Sequence, residues 1–416
     1  MKSSIAYDEN NHFPLENIPF GAFKTAQGST HCCSRIGDKV IDLAVLFNKF
    51  DGPLFKTLTE NVFDQPNLNK FAALGKDFRL EARETLQKMF AEGAPAVDAA
   101  ALVDASEANL VIPVFIRDYT DFYSSKNHAY NVGVMFRGPE NALQPNWVHI
   151  PVGYHGRASS IVVDGTPIVR PKGQTTTDGK TPEWGASKRL DFELEMGTVL
   201  SHGNEHGKPI KIDNARDHIF GFTMLNDWSS RDIQKWEYVP LGPFLAKNFA
   251  STISPWIVTP EALSPFKIAL PAQDPGVLPY LQDKDLSSYD LTLDVSIKTP
   301  TMDQWHSLSK SNMKYLYYSV AQTIAHHSVT GCNMDTGDML GSGTISGPEK
   351  SGYGSMLELC WGGKEVIALP NGEERKFLLD GDEVNMTASA KGNGFTIGFG
   401  NCSGKITPAL DDSHFF

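Results

Sequence analysis

Beyond residue 118 the chain consists mostly of short β-like runs punctuated by Gly and Pro, with few stretches of helical period. Leu291, Leu293, Val295 and Ile297 alternate with Thr292, Asp294 and Ser296, which predicts a half-buried strand. Val384, Met386, Ala388 and Ala390 repeat the pattern ahead of Gly392-Asn393-Gly394, and Ile161-Val162-Val163 runs into the turn pair Asp164-Gly165. Two stretches read as helices. Phe78, Ala82, Leu86, Met89 and Phe90 share one helical face, with Gly93 and Pro95 as stop signals. Met313, Leu316, Tyr317, Val320 and Ile324 predict a second helix, capped by Asn312 and ending before Gly331. His326 and His327 fall in its last turn, where they complement the helix dipole and need no other role. Near the start, the apolar positions around Gly37-Asp38 predict a hairpin. We expect a domain boundary near residue 118, with a smaller unit over 1–118 and a larger, mostly β unit over 119–416.

Composition narrows the class. Hydrophobic content of 41% and charged content of 21% over 416 residues describe a globular protein of about two domains. No run of about 18 apolar residues occurs, so no membrane span is expected, and the polar start lacks the apolar core of a signal peptide. The five cysteines (Cys32, Cys33, Cys332, Cys360 and Cys402) are few and show no C-x-x-C spacing, which suits a reduced, cytoplasmic setting and not a structural zinc site. A net charge of −12 argues against nucleic acid as a partner, though a local arginine can still hold an anionic substrate.

The candidate chemistry starts in Asp121–Arg137, where Asp121, Tyr123, His128 and Arg137 lie within about one helix length. A hard-cation ligand, a hydrogen-bond donor, a base titrating near neutrality and an anion clamp are the parts of a hydrolytic site, although the stretch also reads as a polar surface loop. In Leu190–Met196, period 2 puts Asp191, Glu193 and Glu195 on one face, either solvated or gathered on a cation. Asp227 ends an apolar run, Ile219–Leu225, and a carboxylate there is costly unless paired or metal-bound. Arg231 and Gln234 share a face if they lie on a helical turn, and Lys247 adds a charge; a surface turn with an Asp227–Arg231 salt bridge is the plainer alternative. Asp121, Glu193, Glu195 and Asp227 offer only oxygen, which favours Ca²⁺ or Mg²⁺ over zinc or copper. Glu358 sits in an apolar, strand-like run and needs a partner; His128 would make a base dyad with it. Gly343-Thr344-Ile345-Ser346-Gly347 offers hydroxyls and backbone donors but reads equally as a tight turn. Gly400–Gly404 has the outline of a nucleophile elbow around Cys402, but no helical pattern follows it, so Cys402 is not assigned as a nucleophile.

Long motifs then point to a family. DYTDFYSS and MFRG within 118–138, PVGYHGRASSIVV at 151–163, ELEM at 193–196, WEYVPLGPFL at 236–245, SGTISG at 342–347 and GSMLEL at 354–359 resemble the fumarylacetoacetase family, and the likeness extends from about residue 13 nearly to the end. The resemblance implies an N-terminal SH3-like barrel and a larger C-terminal β-roll in a homodimer, and metal-dependent hydrolysis of a carbon–carbon bond of fumarylacetoacetate, the last step of tyrosine breakdown. It implies Ca²⁺ bound by Asp121, Glu193, Glu195 and Asp227, a water deprotonated by His128 with Glu358, and an oxyanion hole of Arg231, Gln234 and Lys247. Tyr123, Arg137, Tyr154, Gln234, Tyr238 and Thr344 would hold the substrate. Asp227, Lys247 and Ser251 match a second ion position, where the family usually has Gly-Thr and this chain has Ala250-Ser251. A related acylpyruvate hydrolase or oxaloacetate decarboxylase is the alternative within the superfamily.

Overall fold

The computed structural model describes residues 1–8 and 10–416. Strands dominate it. The N-terminal part curls five antiparallel strands into one sheet, in the order Leu102–Asp104, Lys39–Asp42, Thr30–Ile36, Phe20–Lys24, Asn109–Val111. The Gly37-Asp38 turn joins Thr30–Ile36 to Lys39–Asp42 in the expected hairpin. Helix α1 (Lys76–Met89) buries Ala82 and Leu86 against this sheet, as its apolar spacing requires.

The larger part is built on two sheets. A seven-stranded sheet runs Gly153–His155, Tyr119–Phe122, Met339–Gly341, Leu194–Leu200, Ile219–Asp227, Ser251–Ile253, Ile161–Val163. A six-stranded sheet contains Thr292–Lys298, which pairs with Glu383–Lys391 in register Val295↔Met386. The two alternating segments bury Leu293, Val295, Ile297, Val384, Met386 and Ala388 in the main core, and their polar positions stay partly exposed. The fold is thus mainly β, with a curled N-terminal sheet and a larger β-roll, as the family resemblance implied. The two cores are not separate. Val199, Phe220 and Ile257 belong to the larger part by sequence yet pack into the N-terminal cluster, and Phe20 exchanges backbone hydrogen bonds with Ile257.

Two element expectations change. The helix predicted from Met313 is a single 3₁₀ turn over Met313–Tyr315, which Asn312 does cap, followed by extended chain. The regular helix starts later, at Val320–Ser328. Ser319 and Gln322 form a reciprocal capping box there, and this local pairing fixes the start against the longer apolar pattern. The continuous strand predicted over Leu190–Met196 is broken: Leu190–Asp191 pairs with Ser229–Ser230, and the main strand begins at Leu194. Cys402 lies inside a strand, Cys402–Thr407, with no elbow. Its thiol donates to Thr252 O, and burial pushes its pKa well above the ordinary value.

Candidate active site

Four carboxylates meet at one end of the seven-stranded sheet. Asp121 comes from strand Tyr119–Phe122, Glu195 from Leu194–Leu200, Glu193 from the bend just before it, and Asp227 from the last position of Ile219–Asp227. One oxygen from each lies within 4.8 Å of the others, and all four residues are buried. Strand Met339–Gly341 runs between the first two, with Gly341 paired to Asp121. A Cβ on Gly341 would stand 2.8 Å from Asp121 Oδ1 and 3.0 Å from Glu195 Oε2, so only glycine leaves the space open. The solvent-facing reading of this acidic strand does not hold.

The charges are unbalanced. Lys247 Nζ donates to Glu193 Oε2 and, at 2.6 Å, to Asp227 Oδ2. Burial works against the Lys247 charge, but these two carboxylates outweigh it and raise its pKa. Burial also pushes Glu193 up, yet Lys247 and Arg231 prevail and hold it at about 2. At Asp121 the relief from Lys247 is outweighed: burial and the Asp227 charge push it up to about 8. Burial and the Asp121 charge raise Glu195 well above the carboxylate range. Asp121 Oδ1 and Glu195 Oε1 are buried without any hydrogen-bond partner. Unpaired buried oxygens around a space closed to side chains, with only oxygen donors, fit a hard divalent cation.

His128 sits on helix α2 (Lys126–Arg137) and lines the same cavity, of about 410 Å³. Its Nδ1 donates to Glu358 Oε2 at 2.7 Å, and its Nε2 lies 4.0 Å from Glu193 Oε1. A carboxylate only accepts, so Nδ1 carries a proton, and in the neutral ring Nε2 is the acceptor. Glu358 is on a short helix, α3 (Met356–Leu359), and not on a strand as its apolar neighbours implied. Ser355 caps this helix by accepting from Glu358 N. Glu358 is fully buried and also accepts from Asn131 Nδ2 at 2.9 Å, Ser346 Oγ at 2.8 Å and Ser355 Oγ at 2.9 Å. Burial alone would raise its pKa, but the His128 charge and these bonds hold it below the ordinary value.

Arg231 and Gln234 do lie on a helical turn, Arg231–Glu237. No Asp227–Arg231 salt bridge forms. Arg231 Nε donates to Asp191 Oδ2 at 2.8 Å, and Nη1 to Gln234 Oε1 at 3.2 Å. Nη2 is 2.8 Å from Glu193 Oε1 but is not aligned for a hydrogen bond, which leaves a buried donor open to another acceptor. The remaining predicted residues gather around the cavity. The Tyr123 ring stands edge-on to His128, with centroids 5.3 Å apart. Tyr154 donates to Asp227 Oδ2 at 3.0 Å, and Thr344 Oγ1 is buried with no partner. Arg137 and Tyr238 stand at the exposed side, where Arg137 also donates to Asn141 O and Ala142 O. Ser251 donates to Asp227 Oδ1 at 3.0 Å from behind the cage, and Ala250 is packed into the main core.

Sequence reasoning missed Asn131 and Ser355, and it read Ser346 only as one hydroxyl of a glycine-rich turn. Asn131 is three residues after His128 and so on the same helix face, and Ser355-x-x-Glu358 is a readable capping box. It also placed Asp191 beside Glu193 and Glu195, whereas the bend after it turns this carboxylate away to Arg231.

The profile of the fumarylacetoacetate hydrolase C-terminal family matches residues 118–407, and that of the fumarylacetoacetase N-terminal family matches residues 16–113. The chain is 52% identical over 423 residues to the fumarylacetoacetase of Dictyostelium discoideum, covering 98% of each. It is 50% identical over 416 residues to that of Homo sapiens, covering 98% of this chain and 99% of the human one. Among solved structures, a fumarylacetoacetate hydrolase from Exiguobacterium antarcticum superimposes with a TM-score of 0.53 at 15% identity, covering 94% of this chain and 99% of the other. At that identity the likeness is one of fold.

Proposed function

The chain belongs to the fumarylacetoacetase family and hydrolyses fumarylacetoacetate, and we propose that it does so with the His128–Glu358 pair as general base beside a divalent cation held by Asp121, Glu193, Glu195 and Asp227. With the cation bound, Lewis-acid polarisation of a diketone oxygen becomes available to the site. His128 Nε2 takes a proton from water while its Nδ1–H bond to Glu358 fixes the ring and stabilises the imidazolium. Hydroxide adds to the ketone next to the fumaryl double bond. Arg231, Gln234 and Lys247 meet the resulting oxyanion, and a donor of this kind contributes roughly 3–4 kcal/mol to lowering the barrier. The carbon–carbon bond then breaks. The fumaryl half leaves as fumarate, and the other half leaves as an enolate that is protonated to acetoacetate. Arg137, Tyr123, Tyr154, Tyr238 and Thr344 hold the substrate, with Arg137 the clamp for a terminal carboxylate.

The observation that carries this reading is the buried 2.7 Å His128–Glu358 bond close to a four-carboxylate cage, with His128, Asp121 and Glu193 lining one cavity. Ca²⁺ is our choice for the cage, because its larger, flexible shell suits four carboxylates better than Mg²⁺, which keeps its waters. A second ion position at Asp227, Lys247 and Ser251 fits Mg²⁺ poorly, because Asp227 Oδ1 already accepts from Ser251, Oδ2 accepts from Lys247 and Tyr154, and the Lys247 ammonium occupies the place of a cation. The acylpyruvate hydrolase and oxaloacetate decarboxylase alternatives lose ground to full-length identity of about 50% with named fumarylacetoacetases.

We further propose two domains divided near residue 118, a cytoplasmic location in line with the unpaired cysteines, and a homodimer. Exposed Val239, Leu241 and Phe244 form an apolar patch that suits a protein partner, and Leu241 is 96% exposed. No helix among the described residues is long and apolar enough to cross a membrane. Incubation with fumarylacetoacetate, following loss of diketone absorbance with and without Ca²⁺, tests the function. Absence of turnover in the Ca²⁺-loaded protein overturns it.

A further inference from the structure

Asp191 is the acid of the run Asp191–Glu195 that neither the cage nor the base uses. It is completely buried, and both its oxygens are fully engaged. Oδ1 accepts from Phe192 N at 2.8 Å and Met356 N at 2.7 Å. Oδ2 accepts from Leu357 N at 2.9 Å and Arg231 Nε at 2.8 Å. Met356 and Leu357 are the first two residues of α3, the helix that carries Glu358. First-turn N–H groups have no partner inside a helix, and a four-residue helix cannot hold its own orientation, so this carboxylate sets where α3 points. At Oδ2, which it shares with Leu357 N, the Nε bond fixes the plane of the Arg231 guanidinium and so places Nη1 at Gln234 and Nη2 beside Glu193.

We propose that Asp191 is a positioning residue that keeps the oxyanion donor Arg231 and the base pair His128–Glu358 in register on one substrate carbonyl. Ion pairing for stability is a weak explanation for such a group, because the desolvation of a buried pair offsets most of its attraction. Relative placement is the stronger one, because a misplacement of about 1 Å between reacting groups costs roughly 10²-fold in rate. The inference rests on the roles given above to His128 and Arg231.

The test uses the full-length, Ca²⁺-loaded protein. Asp191→Asn keeps the shape, removes the charge and turns one oxygen, which accepts two N–H groups, into a donor, so the hold on α3 or on Arg231 is lost. We expect kcat per folded enzyme to fall about 10²-fold, KM to stay within about threefold, and Ca²⁺ affinity by calorimetric titration to hold. The losses are also expected to be less than additive: D191N should slow R231Q, and likewise E358Q, by clearly less than the roughly 10²-fold by which it slows the parent protein. A role confined to stability predicts less folded protein with unchanged kcat per folded enzyme, and that result overturns the proposal, as do additive losses. If D191N alone does not fold because Arg231 is left unpaired, D191N/R231Q against R231Q gives the same comparison. His128→Ala separates the two levels: an active H128A sinks the base assignment itself, whereas an inactive H128A beside a fully active D191N sinks only the role of Asp191.

Discussion

Replacing Glu358 by Gln is the most direct test of the base, because the structure fixes what the new side chain must do. Oε2 receives three donors, from His128, Ser346 and Ser355, and Oε1 receives one, from Asn131. The glutamine oxygen must take the three-donor position, so its NH₂ faces Asn131, whose amide can turn over to accept it. The hydrogen-bond pattern survives, and His128 keeps its proton on Nδ1. What is lost is the negative charge beside the imidazolium that forms when water is deprotonated. Two unit charges about 4 Å apart interact by about 4 kcal/mol at an effective dielectric of about 20. At about 1.36 kcal/mol per decade that is a fall in kcat of about 10³-fold. Neutral bonds in place of charge-assisted ones should cost stability by about 1–3 kcal/mol. The assay is the initial rate of diketone loss at saturating fumarylacetoacetate with Ca²⁺, alongside thermal unfolding. If E358Q turns over within tenfold of the parent protein, the carboxylate does not stabilise charge on His128 and the dyad is wrong.

Four further outcomes are expected. His128→Ala should lower kcat at least ~10²-fold with the fold intact by circular dichroism; near-parental turnover removes His128 as the base. A chelator should abolish activity and lower Tm, because an ion bound only to the folded state stabilises it, and no change in either rules out the cage. In the chelated protein the pH dependence has a definite sign. Asp121 binds its proton more tightly folded, at about 8, than unfolded, near 3.8, so this stabilisation is fully present below about 3.8, declines steadily as pH rises, and is gone above about 8. The Asp121→Asn variant should flatten that decline, and an equal slope in both proteins refutes it. Gly341→Ala should weaken Ca²⁺ binding by at least tenfold, because the added methyl would meet cage oxygens at 2.8 and 3.0 Å; unchanged affinity shows that the cage can yield.

Strands with strict alternation, such as Thr292–Lys298 and Glu383–Lys391, were legible because burial of one sheet face imposes period 2 on the sequence. Asp227 was legible for a related reason: a carboxylate closing an apolar run has to find a partner. Short helices were not. The four residues of α3 owe their conformation to Ser355 and to a carboxylate 165 residues earlier in the chain, a dependence that no local window contains. Asp191 was misplaced because period-2 arithmetic assumes an unbroken strand, and the chain bends between Asp191 and Leu194. The longer predicted helix gave way to a capping box that a search for Ser-x-x-Gln at 319–322 would have found.

The strand Ile219–Asp227 carries Phe220, near its start, among the N-terminal aromatics and ends with a cage carboxylate, a span of roughly 23 Å of continuous backbone between the two. It works as a rigid rod shared by two neighbourhoods, so neither can melt without disturbing the other. Cargo at one end is therefore felt at the other. Cation loading should slow hydrogen exchange in amides around Phe20 and Phe71, and a lesion at Phe71, far from any substrate atom, should show up as weaker cation binding.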